Sequence, residues 1–320
     1  MLLSTRLIAI FILGPLALVL ACKGGTRDPG GGGTDTGGGG SAAFPNVLDT
    51  PGRAAYTFTH DGRERSFVVY VPEAGAPPRP LVVVLHGGGG SAKQMFEQHP
   101  LEAMAEERGI VIIAAEGVPQ PGDPKSNEWN AQFVLPSLDS GVDDIGYLET
   151  VILGVTDALE IDSRRRYVTG FSGGASMAVR FGAEKSEHLA AIGTFAGKVG
   201  LSEAGGPFVF SSAPSSPLSV QMVYGTLDPN LEGELKGDVQ ATSGQAGISW
   251  WAESLGCPSE PTSATDPPVT YETYEGCNGD AVVRMLTVEG LKHSWPDLDG
   301  EFPLDGTRLM LDFFEDKVRP

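Results

Sequence analysis

The sequence predicts an α/β fold, with a mostly parallel central sheet and helices on both faces. Three observations predict it. Continuous apolar runs at 80–85 and 110–115 have the length and composition of strands buried on both sides. Helical patterns alternate with further β-rich runs at 167–171, 190–197, 218–225 and 282–288, the strand, helix, strand order of a parallel sheet. Residues with useful chemistry, Ser172, Asp228 and His293, stand just past strand ends, where open α/β sheets gather their functional groups.

The elements follow in order. Residues 56–59 and 66–71 flank Asp61-Gly62 and predict an antiparallel hairpin. After the strand at 80–85, residues 93–107 carry a helical pattern, and 110–115 form the next buried strand. Residues 116–141 are rich in Pro, Gly, Asp and Ser and predict a long loop at a strand end, a natural wall for a site. Within it Trp129 is a candidate substrate contact, the alternative being an aromatic that plugs the loop onto the domain. Ile145, Leu148, Ile152, Val155 and Leu159 fall at helical spacing, with Asp143 or Asp144 as the cap. A final helix is expected over 307–317.

The chain begins with a different kind of segment. Residues 1–21 hold one charge, Arg6, and an apolar run too short to span a membrane, the pattern of an export signal. Val19-Leu20-Ala21-Cys22 resembles a bacterial lipobox, in which Cys22 would be lipidated; the alternative is ordinary cleavage nearby. Residues 22–43 would then be the lipidated cysteine and a Gly-rich flexible tether, leaving 44–320 as the folded domain. A protein so built is exported and held on a membrane, facing the periplasm or the cell exterior. With Cys22 set aside, Cys257 and Cys277 remain as an even pair in an oxidising compartment, either bridged or buried as separate thiols.

The formal net charge is −19, from 22 Lys and Arg against 41 Asp and Glu. A surface this acidic disfavours nucleic acid as a partner. The dense basic run Arg164-Arg165-Arg166 is expected in the turn before a strand, solvated or salt-bridged. Histidines are scattered and no HExxH or CxxC cluster is present, so no metal or organic cofactor is implied. Oligomeric state has no sequence signal.

The chemistry gathers at Gly170-Phe171-Ser172-Gly173-Gly174, a GxSxG between a β-rich run and a small-residue helix. A serine hydroxyl is a poor nucleophile until a base takes its proton, so it is held out on a sharp strand-to-helix turn. The amide of Gly173, opening the helix, would face the oxyanion formed in acyl transfer. The second motif is His86-Gly87-Gly88-Gly89-Gly90 after the strand at 80–85, where α/β-hydrolases place the other oxyanion donor; Gly87 and Gly88 are the candidates. His86 is expected to fix that loop rather than act as a base. Chain order then selects among five histidines: His60, His86 and His99 precede the serine, His188 lies near the far end of the same helix, and His293 remains as the base. Asp228, in Thr226-Leu227-Asp228-Pro229, is the candidate acid, with Asp280 and Asp297 the weaker alternatives. Trp295 joins Trp129 as a candidate substrate contact.

With these motifs assembled, residues 65–317 resemble the secreted esterases that group feruloyl and acetylxylan esterases with polyhydroxybutyrate depolymerases. The resemblance rests on LHGGGG at 85–90, VDDIGY at 142–147, ID with RRRYVTGFSGG at 161–174, YGTLDP at 224–229, WW and GC at 250–257, EGC at 275–277 and KHSWP at 292–296. It implies Ser172 as nucleophile, Asp228 as acid, His293 as base and a Cys257–Cys277 disulfide. It further implies a serine esterase acting through an acyl-enzyme on feruloyl or acetyl esters of plant polysaccharide. Hydrolysis of polyhydroxybutyrate is the nearest alternative. A peptidase resembling prolyl oligopeptidases and a non-catalytic glycan-binding surface lipoprotein are more distant ones. Two departures bear on the substrate: Gly88 stands where many polyhydroxybutyrate depolymerases of this group have cysteine, and Leu291 and Lys292 replace the glycines usual before the last histidine, adding a positive feature to the expected rim.

Overall fold

Asp61 and Gly62 take φ of 47° and 70°, the left-handed pair a two-residue hairpin turn requires, and so join β1 (Gly52–His60) to β2 (Arg63–Val71) as the sequence predicts. This computed structural model describes residues 43–320 except 121, 132–138, 204–205, 297–301 and 303. The expected signal segment at 1–21, Cys22 and the tether up to residue 42 lie outside the described residues. Among the described residues no helix is long and apolar enough to cross a membrane.

The apolar runs become strands β3 (Arg79–Leu85) and β4 (Val111–Ala115). Between them the expected single helix is two, α1 (Ala92–Gln98) and α2 (Leu101–Arg108). Pro100 is the reason: the residue before a proline is pushed out of helical conformation, and His99 is extended at φ −127°, ψ 147°. The long loop after β4 contains a small hairpin, β5 (Val118–Gln120) with β6 (Asp123–Glu128). Then α3 (Asp144–Ala158) begins on Asp143, whose side chain accepts from the Gly146 amide, the capping that the sequence predicts.

Next come β7 (Ile161–Phe171), α4 (Gly173–Glu184), β8 (Ala191–Phe195), the short β9 (Leu201–Glu203) and β10 (Ser219–Gly225). The basic run lies within β7 and not in a turn before it. Arg166 is buried there, while Arg165 pairs with Asp162 at 2.8 Å. After β10 follow α5 (Pro229–Glu232), β11 (Leu235–Lys236), β12 (Val239–Ala241) and α6 (Gly244–Ser254). The chain ends with β13 (Thr262–Asp266), β14 (Val269–Tyr274), β15 (Val283–Val288) and α7 (Gly306–Glu315).

Ten of these strands form one sheet in the order β1-β2-β4-β3-β7-β8-β10-β15-β14-β13. The inner six run parallel, and an antiparallel pair closes each edge. Because alternate side chains of a strand point to opposite faces, Leu81, Val83 and Leu85 pack into one core with α3, α4 and α6. Val82 and Val84 pack into the other, with α1, α2 and α7. Burial on both faces explains why β3 and β4 read as unbroken apolar runs. This is the α/β-hydrolase fold. Cys257 and Cys277 are joined in a disulfide between the end of α6 and the loop after β14.

One strut was not evident from the sequence. Arg65 of β2 and Asp144 of α3 form a buried ion pair at 2.7 Å. The second oxygen of Asp144 accepts from the Asn130 amide, also at 2.7 Å, and the Arg65 guanidinium lies 3.7 Å from the centre of the Tyr147 ring. The pair therefore ties sheet edge, helix and the long loop together. Such a pair is costly to desolvate but costlier to break, since removing one partner strands a buried charge.

Candidate active site

The turn at Ser172 is imposed by close backbone packing. A Cβ on Gly170 would lie 2.5 Å from the Gly174 carbonyl carbon, and one on Gly174 would lie 2.3 Å from the Leu85 carbonyl oxygen. Only glycine fits at either position, so β7, β3 and α4 meet tightly at the turn. Ser172 itself sits at φ 53°, ψ −113°, a conformation that a non-glycine residue keeps only where its surroundings hold it. Its amide donates to the Phe195 carbonyl at 2.9 Å. The hydroxyl is left projecting at the parallel strands' carboxyl end.

Two loops bring the other groups to it. Beyond β10, Asp228 caps α5 through a hydrogen bond from the Asn230 amide at 2.9 Å. Beyond β15, the Gly290 amide donates to Thr226 Oγ1 at 2.8 Å and the Leu227 amide to the Leu291 carbonyl at 3.0 Å, stitching the two loops together. The result is a chain of contacts: His293 Nε2 is 2.9 Å from Ser172 Oγ, and His293 Nδ1 is 3.0 Å from Asp228 Oδ1. The Asp228 carboxylate is fully buried and His293 is partly open. A ring so placed can take the hydroxyl proton on Nε2 while donating its other N–H to the carboxylate.

The other histidines are engaged elsewhere. His60 contacts Asp143 at 2.9 Å, His188 contacts Glu149 at 2.8 Å, and His99 packs against Trp295 with ring centres 4.6 Å apart. His86 fixes the glycine loop: the Gly117 amide donates to its Nε2 at 2.9 Å, so Nδ1 carries the proton and donates to the Gly87 carbonyl at 2.8 Å. Burial pushes its pKa down to about 4, keeping it neutral.

A cleft of about 400 Å³ opens over Ser172 and His293, and Gly88 and Gly173 line it. The Gly88 amide nitrogen lies 3.3 Å from where a Cβ on Gly173 would stand, so the two backbones face each other across the floor. A Cβ on Gly87 would instead lie 3.0 Å from the Phe171 ring, and Gly87 is not among the described residues that line the cleft.

Neither tryptophan expected at the substrate is on this surface. Trp129 is 8% exposed; its indole donates to the His86 carbonyl at 2.9 Å and tilts against the His86 ring. It plugs the long loop onto the domain. Trp295 is 7% exposed and stacks on Phe195 at 4.4 Å. Both are held by the core because an indole this large, next to a buried strand end, gains more from packing than from facing water. The rim also differs from expectation: Leu291 is buried and Lys292, though exposed, does not line the cleft. Its charged lining comes from Glu128 at the end of β6, from Lys198 and Glu234, paired at 2.7 Å, and from Lys236. These four lie in irregular segments or short hairpins, and only the Glu128-Trp129 adjacency in the long loop offered a signal.

Comparison with known proteins finds esterases among those similar to this chain. No family model matches the chain. The "Putative esterase NocK" of Nocardia uniformis subsp. tsuyamanensis is 29% identical over 266 residues, covering 76% of this chain and 73% of that protein. The bifunctional acetylxylan esterase/xylanase XynS20E of Neocallimastix patriciarum is 24% identical over 245 residues, 73% of this chain but 31% of that protein. The chain thus spans most of the first relative and under a third of the second. Among solved structures, an acetyl xylan esterase from Aspergillus awamori superposes with a TM-score of 0.58 at 17% identity, covering 82% of this chain and 99% of that one, a likeness of fold.

Proposed function

We propose that the chain, which is similar to esterases of the α/β-hydrolase fold that include feruloyl and acetylxylan esterases, is a serine carboxylic ester hydrolase working through an acyl-enzyme. The observation that carries the reading is the unbroken contact from Ser172 Oγ through His293 to buried Asp228. His293 Nε2 accepts the Ser172 proton as Oγ attacks the ester carbonyl carbon. The amides of Gly173 and Gly88 receive the oxyanion. His293 then returns the proton to the departing alcohol oxygen, and water, deprotonated by the same ring, cleaves the serine ester. Asp228 holds Nδ1–H and stabilises the imidazolium through both halves.

The substrates we propose are feruloyl or acetyl esters of plant polysaccharide, the acetyl esters by analogy with the named activity of the Neocallimastix relative and the feruloyl esters by similarity to a feruloyl esterase B over about a third of the chain. Export with a lipid on Cys22, and a tether over 22–43 that lets the domain at 44–320 reach polymer from a membrane surface, completes the proposal. The disulfide fits an oxidising compartment. The test is hydrolysis of methyl ferulate, acetylated xylan and a hydroxybutyrate oligomer by the purified protein, with Ser172→Ala as control. Release of ferulate or acetate, absent in the variant, supports the proposal. Cleavage of the oligomer alone shifts the substrate class to polyesters. Turnover of none of them, nor of a simple nitrophenyl ester, removes the esterase reading.

A further inference from the structure

The mechanism above uses none of the charged groups that line the cleft, and one of them, Glu128, stands where an anion is least expected. Glu128 ends β6 and lines the same cleft as Ser172. One of its carboxylate oxygens lies 2.8 Å from the position a Cβ on Gly88 would occupy, and the other lies 3.8 Å from that of a Cβ on Gly173. The absence of a side chain at residue 88 is therefore what admits the carboxylate beside both proposed oxyanion amides. Its position is built in. The Gly89 amide donates to the Asn127 carbonyl at 2.9 Å, and Asn127 Nδ2 reaches the Gly90 carbonyl at 3.0 Å and Glu116 Oε1 at 2.7 Å. These bonds clamp the β5–β6 hairpin to the glycine loop.

The geometry points to Glu128 as a specificity-determining residue whose carboxylate accepts a hydrogen bond from a hydroxyl on the carbon next to the ester carbonyl, so that the cleft prefers 2-hydroxyacyl esters to the feruloyl and acetyl esters proposed above, which lack that donor. This rests on the esterase reading. A carboxylate flanking the oxyanion amides, although Gln120 also hydrogen-bonds to it, opposes the charge that develops there. A substrate hydroxyl removes the conflict. On the carbon next to the carbonyl it can stand syn to the carbonyl oxygen, within reach of any group that flanks the amides, and its proton can point to Glu128. A site built to pair a hydroxyl discriminates strongly against analogues that lack the donor, because its own polar group is then left unpaired. Burial raises the Glu128 pKa, and Gln120 and Lys236, together with the Gly89 amide, act against the rise.

The experiment compares kcat/KM for 4-nitrophenyl glycolate and 4-nitrophenyl methoxyacetate, which differ in the donor and hardly in reactivity, each divided by its rate of hydroxide hydrolysis. The wild-type protein is expected to favour glycolate by about tenfold or more, the worth of one charge-assisted hydrogen bond. Glu128→Leu should bring the ratio to about one while methoxyacetate turnover holds or rises. Glu128→Gln, which keeps an acceptor oxygen, should retain part of the preference. Labelling of Ser172 by a fluorophosphonate at the wild-type rate or faster verifies that each variant is folded. Equal use of both esters by the wild-type protein, or a preference that survives Glu128→Leu, overturns the inference and leaves the esterase reading standing. Turnover of neither ester by the wild-type protein would instead fell the reading beneath it.

Discussion

The two sides of the cleft are built in different ways. On one side Ser172, Asp228 and His293 are placed by backbone: a glycine-lined turn, a helix cap and two loops stitched by amide hydrogen bonds. On the other, the glycine loop and Glu128 are placed by side chains: His86 on Gly87 and Gly117, Trp129 on His86, Asn127 on Gly90, and Asp144 holding Asn130 from behind. The first side carries the groups proposed to make and break bonds, and the second shapes the space around them. Damage to the two should therefore differ, the first losing activity with the fold intact, the second losing stability while the Ser172, His293 and Asp228 contacts persist.

The largest effect should come from the first side. Ser172→Ala or His293→Ala should lower kcat/KM for an activated ester by at least about 10⁴-fold, with a urea midpoint close to wild type; a matching loss of stability would blur the distinction. On the second side Asp144→Ala should cost about 3–5 kcal/mol in urea unfolding, the penalty for leaving the Arg65 guanidinium buried without its partner, while activity per folded molecule survives at low temperature.

His86 sharpens the contrast through pH. Its pKa is held down at about 4 against 6.5 for an open imidazole, so between those values the unfolded chain binds a proton that the folded one does not. Stability contributed by neutral His86 is thus fully present above about pH 6.5 and falls as pH drops towards 4, by on the order of 3 kcal/mol. His86→Gln should flatten that part of the stability profile, measured as urea midpoint against pH. Smallest is Trp129→Phe, which removes one hydrogen bond to the His86 carbonyl while keeping a ring in place. About 1 kcal/mol of stability should go, and kcat should stay near wild type, since the indole is not on the cleft surface.

The same division explains what the sequence made legible. Backbone devices leave local signatures: GxSxG, Asp61-Gly62, Asp143 before a helical pattern, and functional residues at strand ends in chain order. The mostly parallel sheet and the strand-end positions of Ser172, Asp228 and His293 could be anticipated from them. Side-chain devices depend on partners far apart in the chain. Arg65 meets Asp144 across 79 residues, and no periodicity marks either as one of a pair. Trp129 looked like a substrate contact because an aromatic in a long loop can serve either purpose, and what decides is the carbonyl of His86, 43 residues away. Glu128 beside it carries no sequence signal of its role, since its placement depends on an empty Cβ position at Gly88. The apolar pattern predicts one helix over 93–107 because it runs on through His99-Pro100, where the backbone cannot.

The most direct test of the account is the mass of the protein after brief mixing with a fluorophosphonate ester, followed by peptide mapping. The account predicts a single adduct, on Ser172, formed quickly in the wild-type protein, abolished by Ser172→Ala and slowed at least about 10³-fold by His293→Ala. An adduct on another residue, or labelling of Ser172 that does not depend on His293, would contradict it.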